Sequence, residues 1–156
     1  MRYGKLFLLL AITLCSILGS CSKSGDKPGN NNNDNTQKQY PAPNWQAADA
    51  SAFAYSMTAV VAVSGSLKQN VSAGDEMAAF IDDECRGIGV YVERDSAAPV
   101  FYILIKGAAD ESGSLSFKYY NKQSRYMYST GNILNFKIDD NYGTVDDPAV
   151  PVFEPM

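Results

Sequence analysis

The chain of 156 residues carries 13 Lys and Arg against 17 Asp and Glu, giving a formal net charge of −4, and it contains no histidine. This acidic balance argues against nucleic acid as a partner, because phosphate binding needs a basic footprint. The lack of histidine removes the commonest general base, the commonest zinc ligand and every Ser-His or Cys-His nucleophile pair.

Residues 1–20 have the pattern of a signal peptide. Two basic residues precede an apolar run over residues 6–18, which is too short for a relaxed membrane span. The run ends in LGSC, residues 18–21, which resembles the lipobox of bacterial lipoproteins. We therefore expect Cys21 to be the first residue of the mature protein and to hold it on a membrane through its acyl chains. An ordinary secretory peptide with a cysteine nearby is the alternative.

Residues 21–48 are predicted to form a flexible membrane tether. They are rich in Gly, Asn, Ser, Lys, Asp and Pro and offer too little apolar surface to repay the cost of ordering. A coil of this length reaches about 30 Å, enough to lift a small domain clear of the lipid headgroups. With Cys15 removed and Cys21 lipidated, Cys85 is the one remaining thiol, so the mature chain has no internal disulfide.

Residues 49–154 are predicted to form one all-β domain, an antiparallel, immunoglobulin-like β-sandwich of about seven or eight strands. Apolar residues recur there with period two far more often than with the helical period of about 3.6. The expected strands, in chain order, are residues 54–63, 76–81, 85–93, 100–106, 114–120, 125–128 and 133–138, with an edge strand near 150–153.

The segment AAFIDDECRG, residues 78–87, gathers three acids, a cysteine and an arginine. A tight hairpin accounts for all of them, with Asp82, Asp83 and Glu84 in the turn and Cys85 opening the return strand. A reactive thiol needs a cationic neighbour, but Arg86 should point to the opposite face of the sheet. We therefore interpret Cys85 as a buried, inert thiol that packs like a small hydrophobic residue.

The acidic residues near the end of the chain allow two interpretations. Acids ordinarily solvate turns, and the spacing here matches no known calcium loop. The alternative is an oxygen-rich calcium site that includes Asp139, Asn141 and Asp146. The paired carboxylates that glycoside hydrolysis needs are not expected in a small sandwich whose acids fall in turns. The sequence thus predicts no enzyme and no cofactor.

Tyrosines give the best indication of a ligand site. Sugars commonly stack their apolar faces on such rings, and four of the ten tyrosines fall in two neighbouring predicted strands. Alternation puts Tyr120 on the face opposite Phe117 and Tyr119, where it is exposed if those two are core. Tyrosine also suits half-buried sheet surfaces in general, which is the competing explanation. The predicted ligand-binding set comprises Tyr120, Tyr126, Tyr128, Asn121 and Gln123.

Four segments together resemble a small β-sandwich module found in lipoproteins and secreted proteins of the Bacteroidota. They are GDEMAAFIDDECRGIG (74–89), FYILIKG (101–107), SLSFKYYNKQSRYMY (114–128) and NFKIDDNYGTVDDPAV (135–150). The resemblance implies a non-enzymatic accessory module, often placed beside polysaccharide-handling systems, and it carries over no ligand residue. Surface-exported members often have an acidic run after the lipidated cysteine, whereas residues 22–26 hold a single acid.

We accordingly expect an outer-membrane lipoprotein that faces either the cell surface or the periplasm. Its membrane contact is made through lipidated Cys21. Its most plausible role is non-catalytic binding of a glycan, or of a partner protein in a surface glycan-handling complex. The alternative is a structural adhesion or surface-assembly protein that interacts through its strand edges.

Overall fold

A computed structural model describes residues 37–156, so the predicted signal peptide, Cys21 and most of the predicted tether lie outside the described residues. The described chain is all-β, as predicted, apart from two short 3₁₀ helices, Ala50–Ala52 and Gly65–Asn70. No helix within it is long and apolar enough to cross a membrane. The strands are β1 (Tyr55–Val61), β2 (Glu76–Ile81), β3 (Glu84–Arg94), β4 (Ala97–Gly107), β5 (Ser114–Asn121), β6 (Tyr126–Ser129), β7 (Leu134–Asn135), β8 (Asn141–Tyr142) and β9 (Glu154–Pro155).

These strands belong to one sheet with the order β8-β1-β4-β3-β2-β5-β6-β9, and β7 pairs with β5 off this path. The prediction of a purely antiparallel sheet is wrong at one ladder, because β8 runs parallel to β1. The chain enters that ladder through Asp139, whose backbone has a φ of 57° and whose N–H donates to the carbonyl of Ser56. The sheet is therefore mixed.

Strand β3 makes the sheet curl. Its first residues, up to Ile88, pair with β2, and the residues from Gly89 onward pair with β4. The two halves of the sheet therefore face one another across a shared core. Ring contacts join the halves directly, with centroid distances of 6.0 Å both for Phe101 to Tyr119 and for Phe117 to Tyr142.

Period-two alternation decides which side chains enter this core. On β5 the inward positions Leu115, Phe117 and Tyr119 are fully buried. On β4 the inward residues Phe101, Ile103 and Ile105 are equally buried, and Tyr102 and Leu104, which alternate with them, are exposed. The middle of β4 is thus covered on one face only.

The N-terminal segment Gln37–Ala48, which we name the strap, lies on the sheet. It bridges β6 at Gln39, and the N–H of Ala48 donates to the carbonyl of Cys85 over 2.8 Å. Trp45 packs edge-on against Phe80 with ring centroids 5.8 Å apart. The strap is therefore hydrogen-bonded to the sheet, although residues 37–48 fall within the predicted tether.

Three predicted elements near the end of the chain differ from the structure. The strand expected over 133–138 is limited to β7, because Phe136 leaves the ladder and buries its ring against Gly107. The edge strand expected over 150–153 is replaced by β9, since Pro151 has no N–H to donate to a ladder. The short strand β8 lies in the stretch that we interpreted as an acidic loop.

The predicted hairpin between β2 and β3 is present, but Glu84, expected in the turn, is the first residue of β3 and pairs with Ile81. Asp82 and Asp83 form its two-residue turn and both have positive φ, 47° and 67°, which is the backbone of a type I′ turn. Arg86 is buried and points away to Glu111, with an Nη1 to Oε2 distance of 2.7 Å, and its guanidinium lies 3.8 Å from the ring centre of Phe53. Arg86 thus links β3 to the loop after β4 through Glu111, and it does not act as the cationic neighbour of the Cys85 thiol.

Gly87→Ala tests the close packing of β3. A Cβ at this position would lie 2.5 Å from the carbonyl oxygen of Leu104, a backbone atom that cannot move alone. We expect a loss of about 1–3 kcal/mol in the free energy of unfolding, measured by urea denaturation. Val90→Thr on the same strand, at a position that is exposed, is the control and should change stability by less than about 0.5 kcal/mol. Equal effects of the two substitutions would contradict the packing argument.

Candidate functional site

A cavity of about 440 Å³ lies between β5, β6, the turn that joins them and the 3₁₀ helix Gly65–Asn70. Such a volume is within the range of small-molecule sites. None of its lining residues is charged. The lining consists of Ser66, Leu67, Asn70, Tyr119, Asn121, Gln123, Ser124, Tyr126 and Tyr128.

Four of the five residues predicted from the sequence line this one cavity. Tyr126 and Tyr128 share a face of β6 because they are two residues apart, and Gln123 and Asn121 reach the cavity from the turn and the end of β5. The ring of Tyr128 stacks on Tyr119 with centroids 5.9 Å apart. The structure therefore brings together residues that the sequence placed only in neighbouring strands.

Tyr120 is the exception. It lies on the opposite face of β5, as alternation predicts, but the expectation that it is exposed is wrong, since only 3% of its surface is accessible. The strap covers that face, and the Tyr120 hydroxyl lies 3.5 Å from the carbonyl oxygen of Tyr40. Tyr120 consequently contributes nothing to the cavity.

The carboxylate of Asp75 is the polar centre behind the cavity wall. Its Oδ2 accepts hydrogen bonds from the Tyr119 hydroxyl at 2.6 Å, from the Ser72 N–H at 2.9 Å and from the Asn121 side chain at 3.1 Å. Its Oδ1 accepts from the Lys122 N–H at 3.0 Å and from the Ser72 hydroxyl at 3.1 Å. One buried carboxylate thus joins the loop before β2, strand β5 and the β5–β6 turn.

Asn121 is a positioning residue for this wall. Its amide nitrogen donates to Asp75 and to the carbonyl of Asn70, and its Oδ1 accepts from both the N–H and the hydroxyl of Ser124. These contacts occupy both ends of the buried amide, so little hydrogen-bonding capacity remains for a ligand. Asn121 thus shapes the cavity wall through its contacts with neighbouring chain segments.

Tyr119 is held as a neutral phenol. Burial raises its pKa above the ordinary value, and its hydrogen bond to the Asp75 carboxylate raises the pKa further, because an ionised phenol could not donate to that carboxylate. The hydrogen bond from Asn121 acts in the opposite direction and is weaker. The cavity floor therefore stays uncharged throughout the neutral pH range.

The polar groups that remain for a ligand are all neutral. They are the hydroxyls of Tyr126 and Tyr128, the Gln123 amide, and the side chains of Asn70 and Ser66. The half-buried ring of Tyr126 stands beside these groups, whereas the ring of Tyr128 is only 6% exposed and packs in the core. Such a surface suits an uncharged ligand that carries both apolar faces and hydroxyl groups.

Sequence reasoning missed several residues of this site. Asp75 lies in the segment GDEMAAFIDDECRGIG, and an acid placed just before a predicted strand is the signal that could have found it. Ser66, Leu67 and Asn70 belong to a 3₁₀ helix that no apolar period announces. Their approach to β6 depends on tertiary contacts.

The thiol of Cys85 and the acidic residues near the end of the chain are the other candidate sites. Cys85 is half-buried, and burial raises the pKa of its thiol, the opposite of what a nucleophile needs. Asp140 accepts a hydrogen bond from the Asn141 N–H and lies near Lys137, so its carboxylate stabilises the turn in which it lies. No group of three His, Cys, Asp or Glu residues within residues 37–156 is arranged to hold a metal ion.

Comparison with known proteins gives no match, neither to a protein-family model nor to a curated protein or a solved structure.

Asp75→Asn tests the role of the buried carboxylate. The amide would turn an N–H₂ group toward donors that now point at an oxygen, leaving buried groups unsatisfied. We expect a loss of about 3 kcal/mol in the free energy of unfolding, followed by thermal or urea denaturation. Asp110→Asn, at an exposed turn position, is the matched control and should leave stability almost unchanged. A denaturation midpoint of Asp75→Asn equal to that of the wild type would contradict the stabilising role assigned to this carboxylate.

Tyr119→Phe tests the neutral phenol through pH. Because the native pKa is raised above the ordinary value of about 10, the unfolded chain loses this proton first as the pH rises. The contribution of this group is fully present below about pH 10 and falls above it, by at most about 1.4 kcal/mol per pH unit. Urea titrations near pH 8 and near pH 11 should show a smaller alkaline loss for Tyr119→Phe than for the wild type. Tyr102→Phe, at an exposed ring, should retain the full loss, and an identical loss in both variants would contradict the assignment.

Proposed function

We propose that this protein is a lipid-anchored, non-catalytic binding module and that its cavity takes an uncharged sugar residue of a glycan. The observation that carries the proposal is the half-buried ring of Tyr126, with the Tyr128 hydroxyl and the Gln123 amide beside it, in a cavity whose lining has no charged group. Aromatic rings provide surfaces for the apolar faces of a sugar, and the hydroxyl and amide groups provide partners for its hydroxyls.

A role without chemistry is supported by the condition of the nearest acid. Hydrolysis of a glycosidic bond needs two carboxyl groups on either side of the scissile bond, one as acid and one as base or nucleophile. Asp75 lies behind the wall, and its two oxygens already accept five hydrogen bonds. Its carboxylate is therefore poorly placed to receive a proton from a substrate.

The finer architecture that we propose is an immunoglobulin-like β-sandwich. The support is the way in which β3 passes from one half of the curled sheet to the other, with the rings of Phe101 and Tyr119 meeting between the halves. Two sheet halves that bury their inner faces against each other have the packing of a sandwich.

The proposed location is the outer membrane, with lipidated Cys21 as the anchor and with either the cell surface or the periplasm on the domain side. The lipobox-like LGSC sequence supports the anchor. The alternative role, assembly through strand edges, gains little support from the described edges. β8 and β9 at the ends of the sheet are two residues long, and such short edges give a partner strand few hydrogen bonds.

The binding proposal is tested with Tyr126→Ala on an array of neutral and acidic oligosaccharides, followed by calorimetry on any hit. We expect binding to a neutral glycan and at least a tenfold weaker affinity in the variant, equivalent to about 1.4 kcal/mol. Tyr126→Phe keeps the ring and separates stacking from the hydroxyl contact.

The matched control is Tyr102→Ala, which removes an exposed tyrosine on β4, away from the cavity. It should bind as the wild type does. Absence of binding to any glycan by the wild type, or equal losses in Tyr126→Ala and Tyr102→Ala, would overturn the proposed site.

A further inference from the structure

The turn between β5 and β6 is held from two sides. On the cavity side, Asp75 accepts the Lys122 N–H and Asn121 accepts the N–H and hydroxyl of Ser124. On the other side the strap supplies two donors. The Gln39 side chain donates to the Ser124 carbonyl over 3.3 Å, and the Tyr40 N–H donates to the Arg125 carbonyl over 2.8 Å.

Arg125 is the residue on which both sets of contacts meet. Its φ of 61° places a non-glycine residue in the left-handed region, which is a strained backbone conformation for a residue with a side chain. Its N–H donates to the Asn121 carbonyl over 2.8 Å, and its own carbonyl accepts from the strap. Since the next residue, Tyr126, lines the cavity, a relaxation of Arg125 would move a binding residue.

The strap itself is lightly attached. Besides its contacts with the turn, it is fixed by the long 3.5 Å contact from Tyr120 to Tyr40, by the packing of Trp45 on Phe80 and by the hydrogen bond from Ala48 to Cys85. Few bonds over twelve residues make a segment that opens locally before the core does. We therefore expect the strap to undock before the core unfolds.

We propose that docking of the strap regulates the cavity: the docked strap holds the β5–β6 turn in its binding geometry, and a bound ligand in turn keeps the strap docked. The ligand half of this inference rests on the proposed glycan function. The two effects must be equal in size, because coupling between two binding equilibria is reciprocal.

The position of the strap indicates how a force on the predicted anchor would act on the cavity. The strap connects the domain to the predicted anchor at Cys21, so a pull along the tether acts on Gln39 and Tyr40 before it acts on the sheet. Loss of their two hydrogen bonds releases Ser124 and Arg125 on the outer side of the turn. Tension on the anchor is thereby converted into a weaker ligand site.

The coupling is tested without any ligand by amide hydrogen exchange on the full chain. Tyr40→Pro removes the N–H that donates to the Arg125 carbonyl and substitutes no residue of the cavity lining. We expect the amides of Ser124 and Tyr126 to exchange about tenfold faster, the ordinary size of such couplings. The amide of Ala79, in the buried part of β2, should keep its rate, which separates local release from global unfolding.

Asn44→Ala is the matched control, since it changes an exposed residue of the strap and leaves the Tyr40 donor intact. Emission of Trp45, the single tryptophan, reports whether the strap still lies against Phe80. Unchanged exchange at Ser124 and Tyr126 in Tyr40→Pro, with the Trp45 signal showing an undocked strap, would overturn the proposal.

The converse experiment starts from the cavity side. Ser124→Ala removes one hydrogen bond to Asn121 and one from the Tyr126 N–H while keeping the backbone donor. Reciprocity predicts faster exchange of the Tyr40 amide by several fold. An unaltered Tyr40 rate, in a variant whose turn amides do exchange faster, would also overturn the coupling.

The two proposals fail in distinguishable ways. If no glycan binds but the exchange of Ser124 responds to Tyr40→Pro, the ligand assignment is wrong and the coupling stands. If a neutral glycan binds at Tyr126 with the same affinity in Tyr40→Pro as in the wild type, the coupling is wrong and the site stands. With both correct, the affinity of Tyr40→Pro for that glycan falls by about the factor seen in exchange.

Discussion

The hydrogen bonds of the buried Asp75 carboxylate are the constraint on which the candidate site depends. A charge removed from water is tolerated only when donors replace the water, and here three separate pieces of chain supply them. The same bonds keep Tyr119 a neutral phenol. They also fix the position of the β5–β6 turn relative to the 3₁₀ helix Gly65–Asn70. The cavity is the space left between segments that this one carboxylate holds together.

A second constraint comes from the strap on the outside of the sheet. The outward residues Phe80 and Tyr120 would be exposed aromatic rings on an uncovered sheet, but Trp45 and Tyr40 lie over them. Burying these rings stabilises the domain and at the same time brings the strap to the turn that walls the cavity. Packing of the outer face and geometry of the inner site are thus linked through a few residues of β5 and β6.

Alternation along the sequence predicted much of this arrangement. It placed Phe117 and Tyr119 on one face of β5 and Tyr120 on the other, because successive strand residues point to opposite faces whatever surrounds them. It failed for the exposure of Tyr120, since a face that is outward in the sheet can still be covered by a distant segment. Alternation gives no information on Asn121, whose amide is occupied by Asn70, Asp75 and Ser124, groups that come from three places in the chain.

What the sequence by itself determined is local: the all-β class, the hairpin at Asp82 and Asp83, the inward and outward faces of the long strands, and a lipobox-like start. These follow from backbone sterics and from the period of two, which act over a few residues. The tertiary structure decided the parallel β8 ladder, the strap over Tyr120, and the meeting of the 3₁₀ helix with Tyr126 and Tyr128. Each of these joins residues far apart in the chain, and such contacts are selected by the packing of the whole core and not by any neighbouring pattern.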